Sequence, residues 1–260
     1  MLAHLPYGGE TMQYSWQVAI QSWCFRDVKD NRVVAQGIRS CGVDAVEISG
    51  AHVDFRNPDS FGGVVAAYRQ YGIFIPTIGA CHLSGDEKTD RGYFEFAQKA
   101  SAKAISISFS FPSYPGILTY AERLADEYGV HLAIHNHGCA DWLGTSAVLG
   151  HIFSLTTPKI GLCLDTAWAM DSGENPVKMV ERFRDRLRTV HVKDFVYDRS
   201  GRNEDVIPGE GSLDLAGLLE TLRNTGFAGN LVIEYEGDRH NPLPSLQKCA
   251  QRVLSLLAEL

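Results

Sequence analysis

VHLAIHNHG occupies residues 130–138, IGLCLD residues 160–165, LRTVHVKDF residues 187–195 and NLVIEYE residues 230–236. Side chains alternate across a strand with period two. In the first run Leu132 and Ile134 share one face, and Ala133, His135 and His137 share the other. In the second, Ile160, Leu162 and Leu164 oppose Gly161, Cys163 and Asp165. In the third, Val190 and Val192 oppose Thr189, His191 and Lys193; in the fourth, Leu231 and Ile233 oppose Val232, Glu234 and Glu236. The large aliphatics form one set, suited to a layer of helices. The small and polar residues form the other, which places them on the axis of a closed sheet. Upstream, Val46 and Ile48 oppose Ala45 and Glu47, and Ile105, Ile107 and Phe109 oppose Ser106, Ser108 and Ser110.

Working outward, strands are expected near residues 17–23, 44–48, 74–79, 104–110, 130–135, 160–165, 189–193 and 230–235. Helical periodicity fills the intervals near 27–41, 61–71, 88–102, 114–128, 145–155, 176–186 and 213–224, and a last amphipathic segment spans 244–257. Gly42, Gly72, Gly129 and Gly226 stand where helices should end, and Asp27 and Thr145 are expected N-caps. Alternating strands and helices with short links indicate parallel βα units, and eight of them in ~250 residues is the size of a closed barrel. The predicted fold class is therefore α/β, a single (β/α)8 TIM barrel with a C-terminal helix over residues 17–260, preceded by an N-terminal arm of residues 1–16. An open doubly wound sheet would need a Gly-rich turn after its first strand, and QSWCFRD at 21–27 is not one.

Hydrophobic residues make up 45% of the 260 and charged residues 21%, the balance of a soluble globular protein. A net charge of -7 counts against nucleic acid as the main partner, because phosphate backbones are bound through Lys and Arg. The N-terminus lacks a basic, then apolar, signal pattern, and no stretch approaches the ~20 apolar residues of a membrane span. A cytoplasmic protein without membrane contact is expected. The six cysteines form no CxxC pair and read as reduced thiols.

Five inward residues are ionisable and lie near strand C-terminal ends, the catalytic face of such barrels: Glu47, His135, Asp165, His191 and Glu234. Burying them unpartnered is expensive, and a divalent metal would offset that cost. Two His and two carboxylates suit Mn2+, Fe2+, Co2+ or Zn2+ better than Ca2+. Four separately satisfied core polar residues are the alternative. Glu47 and Lys193 are read either as ligands of substrate hydroxyls or as a buried ion pair. Trp23, Phe25, His82 and Trp168 sit on or just beyond strand ends, as an apolar wall of a binding site or as packing. Asp194 and Arg199 read as loop charges. Gly209, Glu210 and Gly211 read as a closing loop or as a turn before a helix near Leu213.

VDAVEISG (43–50), VHLAIHNHG (130–138), IGLCLDTAWAM (160–170), LRTVHVKDF (187–195), VIPGEGSLDL (206–215) and GFAGNLVIEYEGD (226–238) resemble, in order and spacing, the sugar phosphate isomerase/epimerase superfamily, the xylose isomerase-like TIM barrels. The resemblance runs over nearly the whole chain from about Gln17. It implies that His135, Asp165, His191 and Glu234 are the metal ligands. His135 stands where the family's epimerases usually carry Glu, and Trp168 where they often carry His. The IHNHG run resembles the His-rich fifth strand of inosose dehydratases.

The implied chemistry is removal of a proton beside a metal-polarised carbonyl. Glu234 is the expected base, with a pKa suited to transfer near neutral pH, and His137 the acid or second base. The second nitrogen of His135 is expected to be held by a neighbour. The leading expectation is an isomerase or epimerase of a keto-sugar or sugar acid, central to carbohydrate metabolism. The second is a lyase or dehydratase acting on a keto-inositol or 3-keto-glycoside. Phosphodiester hydrolysis, as in endonuclease IV, would need more His ligands and a basic face, and a non-catalytic sugar-binding barrel comes last. The expected partner is a small-molecule sugar or polyol; a homo-oligomer is compatible with the family, but no interface is legible.

Overall fold

The computed structural model describes residues 16–260, so the arm expected over 1–16 falls almost wholly outside the described residues. Strands β1 (Gln17–Gln21), β2 (Ala45–Ile48), β3 (Phe74–Leu83), β4 (Ala104–Phe109), β5 (His131–His135), β6 (Ile160–Asp165) and β7 (Leu187–Val192) run parallel around a barrel. A short antiparallel hairpin follows, β8 (Asp194–Tyr197) and β9 (Asn203–Val206). Strand β10 (Asn230–Ile233) then closes the barrel by pairing with β7 and β1.

The outer helices are α1 (Asn31–Ser40), α2 (Phe61–Arg69), α3 (Glu87–Ala100), α4 (Gly116–Tyr128), α5 (Ser146–Ser154), α6 (Thr166–Asp171), α7 (Pro176–Phe183) and α8 (Leu215–Asn224), with α9 (Leu243–Glu259) as the C-terminal helix. Thr145 caps α5 through the Val148 N–H. The cap of α1 is Asp30 rather than Asp27: a 3-10 turn over Ser22–Phe25 follows β1 directly and delays the helix, leaving Asp27 to pair with Arg239. The four expected helix-end glycines all have φ between +67° and +77°.

The alternation read from the sequence sorts the core into two layers. Val46, Ile48, Ile105, Ile107, Leu132, Ile134, Leu162, Leu164, Val190, Val192, Leu231 and Ile233 join one large cluster with the helices. Each such side chain contributes about 1.5–3 kcal/mol on burial. Ala19, Ala45 and Val232 form a separate small cluster on the axis. Above it lies a buried polar layer that includes Gln21, Glu47, Ser106, His135 and His191. Gly79 lets β3 cross this layer: its φ is +152°, and a Cβ there would stand 2.5 Å from Ser106 Cβ. The register of β3 against β4 shifts between Ile78 and Cys81, and β3 runs on to Leu83, past the expected end at 79.

Candidate metal centre and cavity

β5, β6, β7 and the residue after β10 bring His135, Asp165, His191 and Glu234 together, with ligand atoms all within 4.8 Å of one another. His135 Nε2 lies 3.1 Å from His191 Nδ1 and 3.7 Å from Asp165 Oδ2. Glu234 Oε2 lies 2.7 Å from His191 Nδ1 yet accepts no hydrogen bond. Asp165 Oδ1 accepts the Trp168 N–H at 2.9 Å and so caps α6, while Oδ2 and His135 Nδ1 have no partner. Buried polar atoms are nearly always satisfied. Four donor atoms crowded together, two of the carboxylate oxygens among them unbonded, fit a bound cation.

Glu47 lies beneath this group rather than in the cavity above it. It accepts from Gln21 Nε2 at 2.7 Å and bonds His191 Nε2 at 2.9 Å, and it is fully buried. With Nε2 donating to Glu47, His191 presents Nδ1 to the centre. The expected orienting partner thus serves His191, not His135. Lys193 is also buried, and it is not Glu47's partner. Its Nζ bonds Glu236, lies 3.9 Å from Glu234 Oε1 and 4.0 Å from Asp205 Oδ1, and sits 5.1 Å from the Trp168 ring centroid.

The electrostatics follow from burial against charge. Burial pulls His135 down, and the neighbouring His137 and His191 add to that. Burial would lower His191 too, but the neighbouring Cys163 sulfur and the Glu47 and Glu234 carboxylates outweigh it and raise it well above an ordinary imidazole. Burial pushes the Asp165 acid up, and Glu234 adds to this while Lys193 opposes it. Burial acts upward on Glu234 as well, but Lys193 and His191 prevail and hold it far below the usual range. Glu234 is therefore not held at the near-neutral pKa expected for it: the Lys193 ammonium and the adjoining His191 ring keep it ionised.

Above the centre opens a cavity of ≈ 440 Å³ lined by Gln21, Trp23, Ser49, Gly50, Gly79, Ala80, His135, His137, Trp168, His191, Glu234 and Glu236. His137 lies 4.5 Å from His135 between ring centroids, its Nδ1 is buried without a partner, and burial lowers its pKa. Trp23 donates its indole N–H to Glu236 Oε2 at 2.9 Å. His82 lies outside this lining, on an exposed stretch between the Ser108 and Ser110 hydroxyls, 3.2 Å from each. Phe25 is packed into the helical core. A hollow of ≈ 570 Å³ over the β2 loop, around His52, Arg56 and Tyr93, holds none of the converging ligands.

Two acids beside the centre are not among the site residues expected from the sequence. Glu236 shares the inward face of Glu234, a signal that was available. Asp205 sits on the unforeseen β9, and no local pattern marks it. Asp194 is not a solvated loop charge: it is buried and accepts four backbone N–H groups, from Gly209, Gly211, Ser212 and Leu213, at 2.8–2.9 Å. Those bonds pin residues 209–211 as a turn ahead of α8.

Residues 117–256 match the family model of the xylose isomerase-like TIM barrel. The chain belongs to that family. Rhizopine catabolism protein MocC of Rhizobium meliloti is 34% identical over 138 residues, 48% of this chain and 42% of its own. Inosose dehydratase of Lacticaseibacillus casei is 26% identical over 148 residues, 50% of this chain and 49% of its own. The matched stretch thus spans less than half the length of these relatives. Among solved structures, the zinc-bound IOLI protein superposes with a TM-score of 0.75 at 15% identity, covering 94% of this chain and 98% of that one. The 3-keto-D-glucoside 4-epimerase YcjR of E. coli gives 0.71 at 18%, covering 94% and 100%. At these identities the likeness is one of fold. Among the described residues no helix is long and apolar enough to cross a membrane.

Proposed function

We propose that the chain is a metal-dependent enzyme that removes the proton beside the carbonyl of a keto polyol and completes the reaction as a lyase. The observation that carries this is the convergence of His135, Asp165, His191 and Glu234 at the floor of a cavity whose wall includes an imidazole with an unengaged nitrogen, His137. A divalent cation of the Mn2+, Fe2+, Co2+ or Zn2+ type held by those four groups would supply Lewis acidity toward a carbonyl oxygen. Glu47 orients His191 by fixing which nitrogen faces the centre. Glu234, ionised, takes the proton from the carbon next to the carbonyl. His137 in its protonated form, which the lowered pKa makes a stronger acid, gives a proton to the departing β-hydroxyl, which leaves as water, and the electron pair of the broken C–H bond becomes a new C=C bond. Trp23 and Trp168 supply apolar surface to the cavity and exclude water from it.

Dehydration is favoured over a two-carboxylate epimerisation because the other cavity carboxylate, Glu236, already binds Lys193 and Trp23. The inosose dehydratases among the relatives support the same choice. The isomerase or epimerase reading keeps one observation in its favour: Glu234 and His137 both line the cavity, so a proton taken by one can be returned by the other. Metal content by elemental analysis tests the centre, with roughly one ion per chain expected and lost in Glu234→Gln/His191→Ala. Incubation with inososes and keto-sugars in D2O then separates the reactions. A product lighter by one water supports the lyase; solvent deuterium in a product of unchanged composition supports the isomerase. Protein that takes up no metal sinks both.

A further inference from the structure

The inward residues of β5, β6 and β7 offer a second set of ligand atoms, one that includes a sulfur. Cys163 is fully buried and carries a free thiol. It shares the inward face of β6 with Asp165, two residues earlier and so deeper below the cavity. In register it stands beside His135 on β5 and Thr189 on β7, whereas Asp165 stands beside His191. The Cys163 sulfur and one nitrogen each of His135 and His191 lie within 4.8 Å of one another.

The side chains that flank Cys163 on both neighbouring strands each keep an unpaired polar atom. His135 Nδ1 is buried and unbonded, and so is the hydroxyl oxygen of Thr189. Buried polar atoms are nearly always satisfied, so orphans on either side of a thiol mark a place for a ligand. Sulfur and imidazole together suit a soft cation, whereas the carboxylates of Asp165 and Glu234 suit a harder one.

We propose that His135, Cys163 and His191 form an alternative metal position, deeper than the four-residue centre, that takes a soft, thiophilic cation such as Cd2+ or Cu+. Binding releases the thiol proton to solvent, because sulfur ligates as the thiolate. The same two imidazoles serve both sets, and Glu47 already holds His191 Nε2, so one ion excludes the other. A soft ion in the deeper position leaves Asp165 and Glu234 outside its ligand set, and so blocks the centre instead of serving it. The inference shares two imidazoles with the metal-dependent reading above but neither of its carboxylates, so each can fail alone.

The probe is Cd2+, added to the full chain carrying Cys139→Ser, so that no exposed thiol competes. An ultraviolet thiolate-to-Cd2+ charge-transfer band is expected, with sulfur beside the cadmium in its X-ray absorption spectrum. Titrating Cd2+ into Mn2+-loaded protein should release the Mn2+, read by electron paramagnetic resonance. Adding Cys163→Ala should abolish the band and weaken Cd2+ binding by ~10-fold or more, at least about 1.4 kcal/mol, with Mn2+ binding and the far-UV signal unchanged. Adding Glu234→Gln instead should weaken Mn2+ binding and keep the band. A cadmium surrounded by oxygen and nitrogen alone, a band that survives Cys163→Ala, or Mn2+ and Cd2+ bound together overturns the inference. Cd2+ bound through Cys163 in a chain that takes up neither Mn2+ nor Co2+ keeps the inference and overturns the metal-dependent reading.

Discussion

β1 to β4 and β5 to β10 bury the same kind of aliphatic face against the helices, but their C-terminal ends differ. The first half ends in Gln21, Glu47, Gly79, Ala80 and the serines of β4 and its loop; the second ends in His135, His137, Asp165, His191, Lys193, Glu234 and Glu236. All four residues that could hold a metal ion come from the second half. The family match, residues 117–256, begins in α4 just ahead of β5. The outer face is uniform because every helix demands the same apolar contact. The inner face is divided: one half carries the four residues that could hold a metal ion, and the other carries Glu47, which lies beneath them and bonds His191.

The sharpest way to break this division is at Asp194. Asp194→Ala strands four backbone N–H groups, and we expect a loss of about 3 kcal/mol or more in urea unfolding. An effect below about 0.5 kcal/mol would mean that the loop repacks without its plug. Next in size is Glu47→Gln. If the first half positions the second, metal affinity should fall about 10–100-fold in a competition assay with a chromophoric chelator, with little change in the folded far-UV signal. Unchanged affinity would reduce Glu47 to a satisfied core acid. His82→Ala, on the first-half rim, should leave metal binding and ligand binding unaltered and stability within about 0.5 kcal/mol. A large rise in the Kd of a bound polyol would show that the cavity extends across that rim.

The smallest effect joins the two halves at their seam. Arg239, after β10, hydrogen-bonds Asp27, after β1, and holds its carboxyl at about 2, with His240 adding to the pull. A folded pKa below the unfolded value of about 3.9 contributes stability above that value and loses it as pH falls toward 2. Asp27→Asn should therefore slightly lower stability above about pH 4, and its difference from the native chain should shrink to nothing as pH falls toward 2. An identical profile in that window would leave the pair without a role.

Much of the fold was legible because strand alternation is local. Leu132 against His135, or Leu231 against Glu234, needs only neighbours in sequence, and eight repeats of it predict a closed barrel. The same alternation put His135, Asp165, His191 and Glu234 on one face of their strands. The α1 cap expected at Asp27 falls instead on Asp30, because the turn after β1, which no local pattern marks, delays the helix. Alternation was silent on β8 and β9, whose pairing DFVY with NEDV carries no apolar alternation to read.

By itself, then, the sequence determined which side chains face the axis, because that depends on parity within each strand. Only the tertiary structure decided what each of them meets there. Glu47 and His191 lie 144 positions apart, and Trp23 and Glu236 are 213 apart. Their encounters depend on the stagger and closure of the barrel, which no single strand encodes. The same holds for Asp194, whose charge looked solvated until the chain folded its own N–H groups around it.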